Sequence, residues 1–315
     1  MQLTLGFSPC PNDTFIFDAL VHRRIDTEGL EFDFLITDIE ELNKRALSGT
    51  VDITKISIHA YAFAAQKYII LDSGSALGYG NGPLLISKRK LDTDELGNMR
   101  IAIPGKYTTA NLLFSIAWPQ AVNKTEYLFS DIEEVLLKEE ADAGIIIHET
   151  RFTYHKKGLL KIADLGEYWE KLTNLPVPLG TIVINRRIPA ETALKVNRII
   201  RRSLEYANND PNASVNFIME NAKDMESKVV NNHIKLYVNN YTLNLGPNGR
   251  KAISELYKIA AEKRIIPENA ATFSLLTMNP YWGYNTTIGK ETSGAELFET
   301  LYSKLNSIWI TKIKQ

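Results

Sequence analysis

Short β-rich apolar runs alternate along this chain with stretches whose apolar positions recur at helical spacing. That alternation predicts α/β units with largely parallel strands. The first predicted strand covers residues 3–7. After Ser8-Pro9-Cys10-Pro11-Asn12, a helix starts near Asp13 and carries Phe15, Ile16, Ala19 and Leu20. Strands over 30–36, 51–54, 68–71 and 82–87, with helices over 39–47 and about 58–65, complete a first unit. The polar run Lys88-Arg89-Lys90-Leu91-Asp92 then marks a crossing to a second unit. There a strand over 100–103 precedes a helix over 109–118, a helix covers 132–138, and residues 143–147 form a wholly apolar strand of a sheet covered on both faces.

The run 180–184 reads as a strand returning to the first unit. Helices follow near 192–207, 213–221, 225–239 and 248–263, each introduced by Asp, Pro, Asn or Gly. This order predicts two lobes: residues 1–88 plus 183–315 in one, discontinuous in sequence, and 89–182 in the other. Two crossings make a hinge, which suits a clamshell closing on a ligand. The tail from about residue 272 differs. Its aromatic, turn-rich run Asn279-Pro280-Tyr281-Trp282-Gly283-Tyr284-Asn285 is followed by an amphipathic helical pattern over 295–310, to be packed on the first lobe or on another subunit.

A length of 315 residues suits two cores rather than one. Lys and Arg number 36 against 37 Asp and Glu, a net charge of -1, so no broad field attracts phosphate backbones and nucleic acid is not an expected partner. One cysteine, Cys10, excludes an internal disulfide and a Cys-based metal site. The start Met1-Gln2-Leu3-Thr4-Leu5-Gly6-Phe7 reads as a strand rather than a leader, and no apolar run has the length of a membrane span. The expectation is a cytoplasmic protein without a membrane partner.

In open α/β sheets, ligands sit outside the carboxyl ends of the strands. Those ends supply Ser8, Asn12 and Asp13; Lys55, Ile56, Ser57 and His59; Thr108 and Thr109; and His148, Glu149, Thr150 and Arg151. Helix N-termini at several of these points offer free N–H groups suited to a carboxylate. Each residue also has a plain reading: Thr108-Thr109 as an N-cap, Lys55 as a solvated lysine, His148 as a satisfied core histidine. His148 stands out because it ends an apolar strand, where a polar side chain needs a reason, and histidine suits proton transfer near neutral pH. His148-Glu149-Thr150-Arg151-Phe152 lacks the second histidine of a zinc-protease motif. Gly78-Tyr79-Gly80-Asn81-Gly82 lacks the phosphate-loop lysine and reads as a close turn beside the crossing. Ser8 and Ser57 lack a hydrolase nucleophile motif.

The same segments resemble the 1,4-dihydroxy-6-naphthoate synthase family of the futalosine route to menaquinone. The likeness rests on Ser8-Pro9-Cys10-Pro11-Asn12-Asp13-Thr14-Phe15-Ile16-Phe17, Asp52-Ile53-Thr54-Lys55-Ile56-Ser57, Gly82-Pro83-Leu84-Leu85 and Ile103-Pro104-Gly105-Lys106-Tyr107-Thr108-Thr109-Ala110. Further matches are Gly144-Ile145-Ile146-Ile147-His148-Glu149-Thr150-Arg151-Phe152-Thr153-Tyr154, Leu165-Gly166-Glu167-Tyr168-Trp169-Glu170, Pro176-Val177-Pro178-Leu179-Gly180 and His233-Ile234-Lys235-Leu236-Tyr237-Val238-Asn239. The resemblance covers roughly residues 1–265 and implies a two-lobed fold like that of the periplasmic binding proteins. It also implies a lyase that converts cyclic dehypoxanthinylfutalosine to 1,4-dihydroxy-6-naphthoate with release of dihydroxyacetone, using no organic cofactor and no metal. Carried over, His148 matches the proton acceptor, while Lys55, Ile56 and Ser57, and Thr108 with Thr109, match substrate-binding segments. Ser8, Asn12, Asp13 and Tyr154 are expected to line the cleft. His233 fits a structural and a catalytic role equally. A homodimer is a candidate assembly, and the substrate is expected to be a small carboxylate. The alternatives are a carboxylate-binding protein without catalysis, the chorismate dehydratase of the same pathway, whose N-terminal pattern differs, and a small-molecule-sensing regulator without a visible DNA-binding segment.

Overall fold

A computed structural model describes residues 1–222, 225–271, 273–275 and 286–288 of the chain. The chain begins with β1 (Gln2–Phe7), α1 (Pro11–Val21), β2 (Glu31–Ile36), α2 (Ile39–Ser48), β3 (Ile53–Ser57), α3 (Ile58–Ala64), β4 (Tyr68–Ile70) and β5 (Ala76–Gly78). It continues through β6 (Leu84–Ser87), β7 (Ile101–Ile103), α4 (Thr109–Ala117), β8 (Lys124–Glu126), α5 (Ile132–Leu137), β9 (Ala143–Ile146), β10 (Leu160–Asp164), α6 (Leu165–Thr173) and β11 (Val177–Asn185). The last described elements are α7 (Ala190–Asn209), α8 (Val215–Asn221), α9 (Ser227–Tyr237), α10 (Asn240–Leu243), α11 (Gly246–Glu262), β12 (Phe273–Leu275) and β13 (Thr286–Ile288). Among the described residues, no helix is long and apolar enough to cross a membrane.

Among the described residues, two sheets carry the two lobes. The first has the order β13-β12-β4-β11-β3-β1-β2, with β5 also pairing β11. The second has the order β10-β6-β9-β7-β8. Both are mixed rather than purely parallel. β1 pairs parallel with β2 and β3, but β11 enters from the second lobe and runs antiparallel to β3, β4 and β5. β6 lies antiparallel between β9 and β10.

Sheet membership changes between Gly78 and Leu84, upstream of the polar run 88–92 expected to carry the first crossing, and β11 is back in the first sheet from Val177, ahead of residue 183. The sterics of the glycines account for the earlier position. Gly80 has φ +68, and a Cβ on Gly82 would lie 2.3 Å from the Gly166 backbone. Only this bare backbone lets the crossing strand pass so close to α6. The glycine run is therefore the close turn that was expected of it. The strand expected over 51–54 lies at Ile53–Ser57, so Lys55, Ile56 and Ser57 are strand residues rather than residues after a strand. β5, β8, β10 and α6 were not expected; β8 reads Lys-Thr-Glu, which carries no apolar pattern.

Cap chemistry fixes the helices that face the cleft. Asp38 accepts from the backbone N–H of Glu40 at 2.8 Å and starts α2, and Gly49 at φ +81 ends it. Thr108 caps α4 by accepting from Asn111 N–H at 3.3 Å. Among the described residues, three apolar clusters form the core. One spans both lobes, joining Ile56, Ile58 and Tyr61 to Leu85, Ile101, Phe114 and Trp169. A second packs β1 against α1 and α7, and a third packs β6 and β9 against α5. The two lobes thus share a continuous core beside the cleft. In the tail, β12 and β13 extend the first sheet beyond β4. The run 279–285 and the helical pattern over 295–310 lie outside the described residues.

Candidate active site

A cleft of about 650 Å³, including its mouth, opens between the carboxyl ends of the strands of the two lobes. That volume suits a small organic ligand. Ser8, Asn12, Asp13, Lys55, Ile56, Ser57, Thr108, Thr109 and His148 all line it. Tyr154 does not: two short helices after β9, His148–Phe152 and Tyr154–Lys157, carry it onto the third apolar cluster. His59 lies behind Thr108, whose carbonyl is 3.1 Å from its Nδ1, and burial lowers its pKa to about 4. It is neutral at physiological pH.

The floor on the first lobe is a buried charged pair. Lys55 Nζ is 3.3 Å from Asp13 Oδ1 and donates to the Gly74 carbonyl at 2.7 Å. Asp13 also accepts from Ser8 Oγ at 2.7 Å, Ser8 N–H at 3.2 Å and Asn12 Nδ2 at 2.8 Å. An ammonium group has three donors, so one N–H of Lys55 remains beyond these two partners. Ser57 N–H donates to Asn43 Oδ1 at 2.9 Å, and Ser57 Oγ accepts from Asn43 Nδ2 at 3.1 Å. The Ser57 hydroxyl proton has no partner among the described residues, and Ser57 lines the cleft.

The threonines work differently from a hydroxyl pair. Thr108 Oγ1 donates to the Gly105 carbonyl at 2.8 Å and Thr109 Oγ1 to the Leu179 carbonyl at 2.6 Å. Both hydroxyl protons are committed to protein. The backbone N–H groups of Thr109 and Ala110 have no partner among the described residues. They begin the nine-residue helix α4, so this edge of the cleft offers N–H donors and the positive end of the helix dipole.

His148 follows β9 at φ +59, a left-handed conformation uncommon for a residue with a side chain. Its Nδ1 lies 3.4 Å from Cys10 Sγ, and its Nε2 is shielded from water with no partner among the described residues. The Phe129 ring stands edge-on at 5.0 Å. Burial pushes the Cys10 thiol well above its usual pKa, and the Glu149 carboxylate adds to the effect, so Cys10 stays a neutral thiol. Cys10 and Tyr237 are site residues that the sequence reading missed. Cys10 lies within the Ser-Pro-Cys-Pro-Asn motif and was a possible signal; Tyr237 sits at the end of α9, far away in sequence.

His233 is fully buried on α9, its ring 6.3 Å from that of His148 and nearly parallel to it. Burial holds its pKa well below the usual value, helped by His148 and Arg151. Asp13 accepts only, so Asn12 turns its NH2 to Asp13 and its carbonyl to His233. His233 Nε2 therefore carries the proton and donates at 2.9 Å. It supports Asn12 and does not line the cleft. Arg151 is turned into protein, bonding the Gly82 carbonyl at 3.0 Å and lying 3.4 Å from Asp164. Among the described residues, no group of three or more His, Cys, Asp or Glu is placed to hold a metal ion.

Residues 3–262 match the family model described as menaquinone biosynthesis. The chain is 39% identical over 255 residues to a 1,4-dihydroxy-6-naphtoate synthase of Thermus thermophilus, covering 81% of this chain and 92% of that one. It is 39% identical over 271 residues to the enzyme of the same name from Streptomyces coelicolor, covering 84% and 95%. A solved structure from Archaeoglobus fulgidus is similar with a TM-score of 0.80 at 35% identity, over 84% of this chain and 98% of that one. An alkanesulfonate-binding protein of Xanthomonas axonopodis shares the fold alone, at a TM-score of 0.65 and 15% identity over 84% and 94%. With its two-lobed periplasmic-binding-protein-like fold, the chain belongs to the menaquinone biosynthesis family.

Proposed function

We propose that this chain is a 1,4-dihydroxy-6-naphthoate synthase. It acts as a lyase on cyclic dehypoxanthinylfutalosine, releasing dihydroxyacetone, with no organic cofactor or metal. The observation that carries this reading is the convergence of His148, with Nε2 free, on a cleft built from both lobes. The names of the two relatives agree with it. The substrate carboxylate is held by the N–H groups of Thr109 and Ala110, and its hydroxyls by Ser57 and the remaining N–H of Lys55. Asp13 neutralises Lys55, so that this residue orients rather than attracts.

His148 takes the proton whose removal accompanies C–C cleavage. For Nε2 to be the free base, Nδ1 must carry the proton, and Cys10 Sγ is then its acceptor at 3.4 Å. A neutral thiol serves this purpose without lending negative charge. A positioned base contributes ~10²–10⁴-fold to such a step. Aromatisation of the product supplies the driving force without a redox partner. The test is incubation of purified protein with cyclic dehypoxanthinylfutalosine, followed by mass spectrometry for the naphthoate. Binding of the compound without product would replace the synthase by a carboxylate-binding protein.

A further inference from the structure

We propose that Glu40 is a positioning residue that ties the two substrate-holding segments together across the lobes. This inference rests on the synthase reading for its kinetic readout only. Glu40 sits in the first turn of α2, in the first lobe, and is 6% exposed. Its Oε1 accepts from the backbone N–H of Tyr107 at 3.0 Å, in the second lobe. Its Oε2 accepts from Asn43 Nδ2 at 2.9 Å. The same Asn43 holds both the N–H and the Oγ of Ser57. One chain of hydrogen bonds thus runs from Tyr107, beside Thr108 and Thr109, to Ser57.

Two further facts argue that this contact is built rather than incidental. Gly105 lies at φ +142, and a Cβ there would fall 2.6 Å from Glu40 Cγ and Cδ. The turn that carries the threonines has the one residue type that admits the Glu40 side chain. Glu40 also makes no ion pair among the described residues. A buried carboxylate held by neutral donors alone is costly. The dipole of α2 favours an acid at this position but needs no reach into the other lobe. Glu40 does not line the cleft, so it acts through Ser57 and Thr108–Thr109.

The test uses the full chain and three variants. In Glu40→Gln the new amide keeps Tyr107 only by turning its NH2 onto the NH2 of Asn43. Asn43 cannot flip to accept, because its Oδ1 holds Ser57 N–H. The double variant E40Q/N43D restores a donor facing an acceptor between positions 40 and 43, but its carboxylate draws the Ser57 hydroxyl proton away from the cleft, so its readout is the Tyr107 amide and not KM. The expected result is a KM raised about tenfold or more in Glu40→Gln, with kcat nearly unchanged, and slower Tyr107 amide exchange in E40Q/N43D than in Glu40→Gln. In Glu40→Ala the Tyr107 amide should exchange with deuterium about tenfold faster, relative to amides of β1. Unchanged Tyr107 exchange in Glu40→Ala, or an unchanged KM in Glu40→Gln, would overturn the proposal. If wild type turns over no substrate, the synthase reading fails, and Tyr107 exchange still decides on Glu40.

Discussion

Glu40 also gives a sharp prediction about stability and pH. Burial raises its pKa from 4.5 to about 6, against the hydrogen bonds from Asn43 and Tyr107 N–H; Glu126 adds to the rise and Lys44 opposes it. Folding therefore favours the neutral acid. The contribution of this group to stability is fully present below pH 4.5 and is lost as pH rises through about 6. The gap between these two values corresponds to about 2 kcal/mol. Glu40→Gln removes the titration and also loses a good contact with Asn43. That second loss is the same at every pH, so it cancels when two pH values are compared. Urea unfolding of wild type and Glu40→Gln at pH 4 and pH 8 measures the effect. The stability of wild type minus that of the variant should fall by about 2 kcal/mol between the two. A difference that is constant or grows with pH would show that folding does not favour the neutral acid of Glu40.

His59 predicts the opposite slope. Its pKa falls from 6.5 to about 4 on burial, so the stability it contributes is present above pH 6.5 and lost as pH falls toward 4. His59→Gln should flatten that acid limb by up to about 3 kcal/mol in urea midpoints taken across the range. Lys55→Met leaves Asp13 buried with only its neutral donors, and should cost about 3 kcal/mol in unfolding free energy. Adding Asp13→Asn should return part of that loss, which the double-mutant cycle reads directly. Cys10→Ala removes the partner of His148 Nδ1 and should lower kcat about tenfold while leaving KM within about twofold.

Much of this site was legible in the sequence, because chemistry in an α/β sheet gathers at strand ends. Ser8, Asn12, Asp13, Lys55, Ile56, Ser57, Thr108, Thr109 and His148, singled out near strand ends, line one cleft. Their roles were less legible. The Thr108 and Thr109 hydroxyls looked like ligands, yet both protons go to carbonyls that tertiary contact brings near. Lys55 looked solvated or functional, and its buried pairing with Asp13 joins residues 42 positions apart in the chain. Tyr154 was misplaced because a single left-handed residue, His148, redirects the backbone after β9. The crossings were set too late, because a polar run looked like a linker while the real passage is a glycine turn packed against Gly166. Glu40 was invisible, since its partner is a backbone amide in the other lobe. The polar strand β8 escaped because pairing with β7, not an apolar pattern, makes it a strand.

His148 is proposed as the base of a cofactor-independent cleavage in this cleft. The most direct measurement sets single-turnover product formation by wild type and His148→Ala on cyclic dehypoxanthinylfutalosine beside calorimetric binding of that compound. With His148 as the base, the variant binds within a few-fold of wild type and turns over ~10²-fold or more slowly. Turnover by His148→Ala at the wild-type rate, with binding intact, would contradict it.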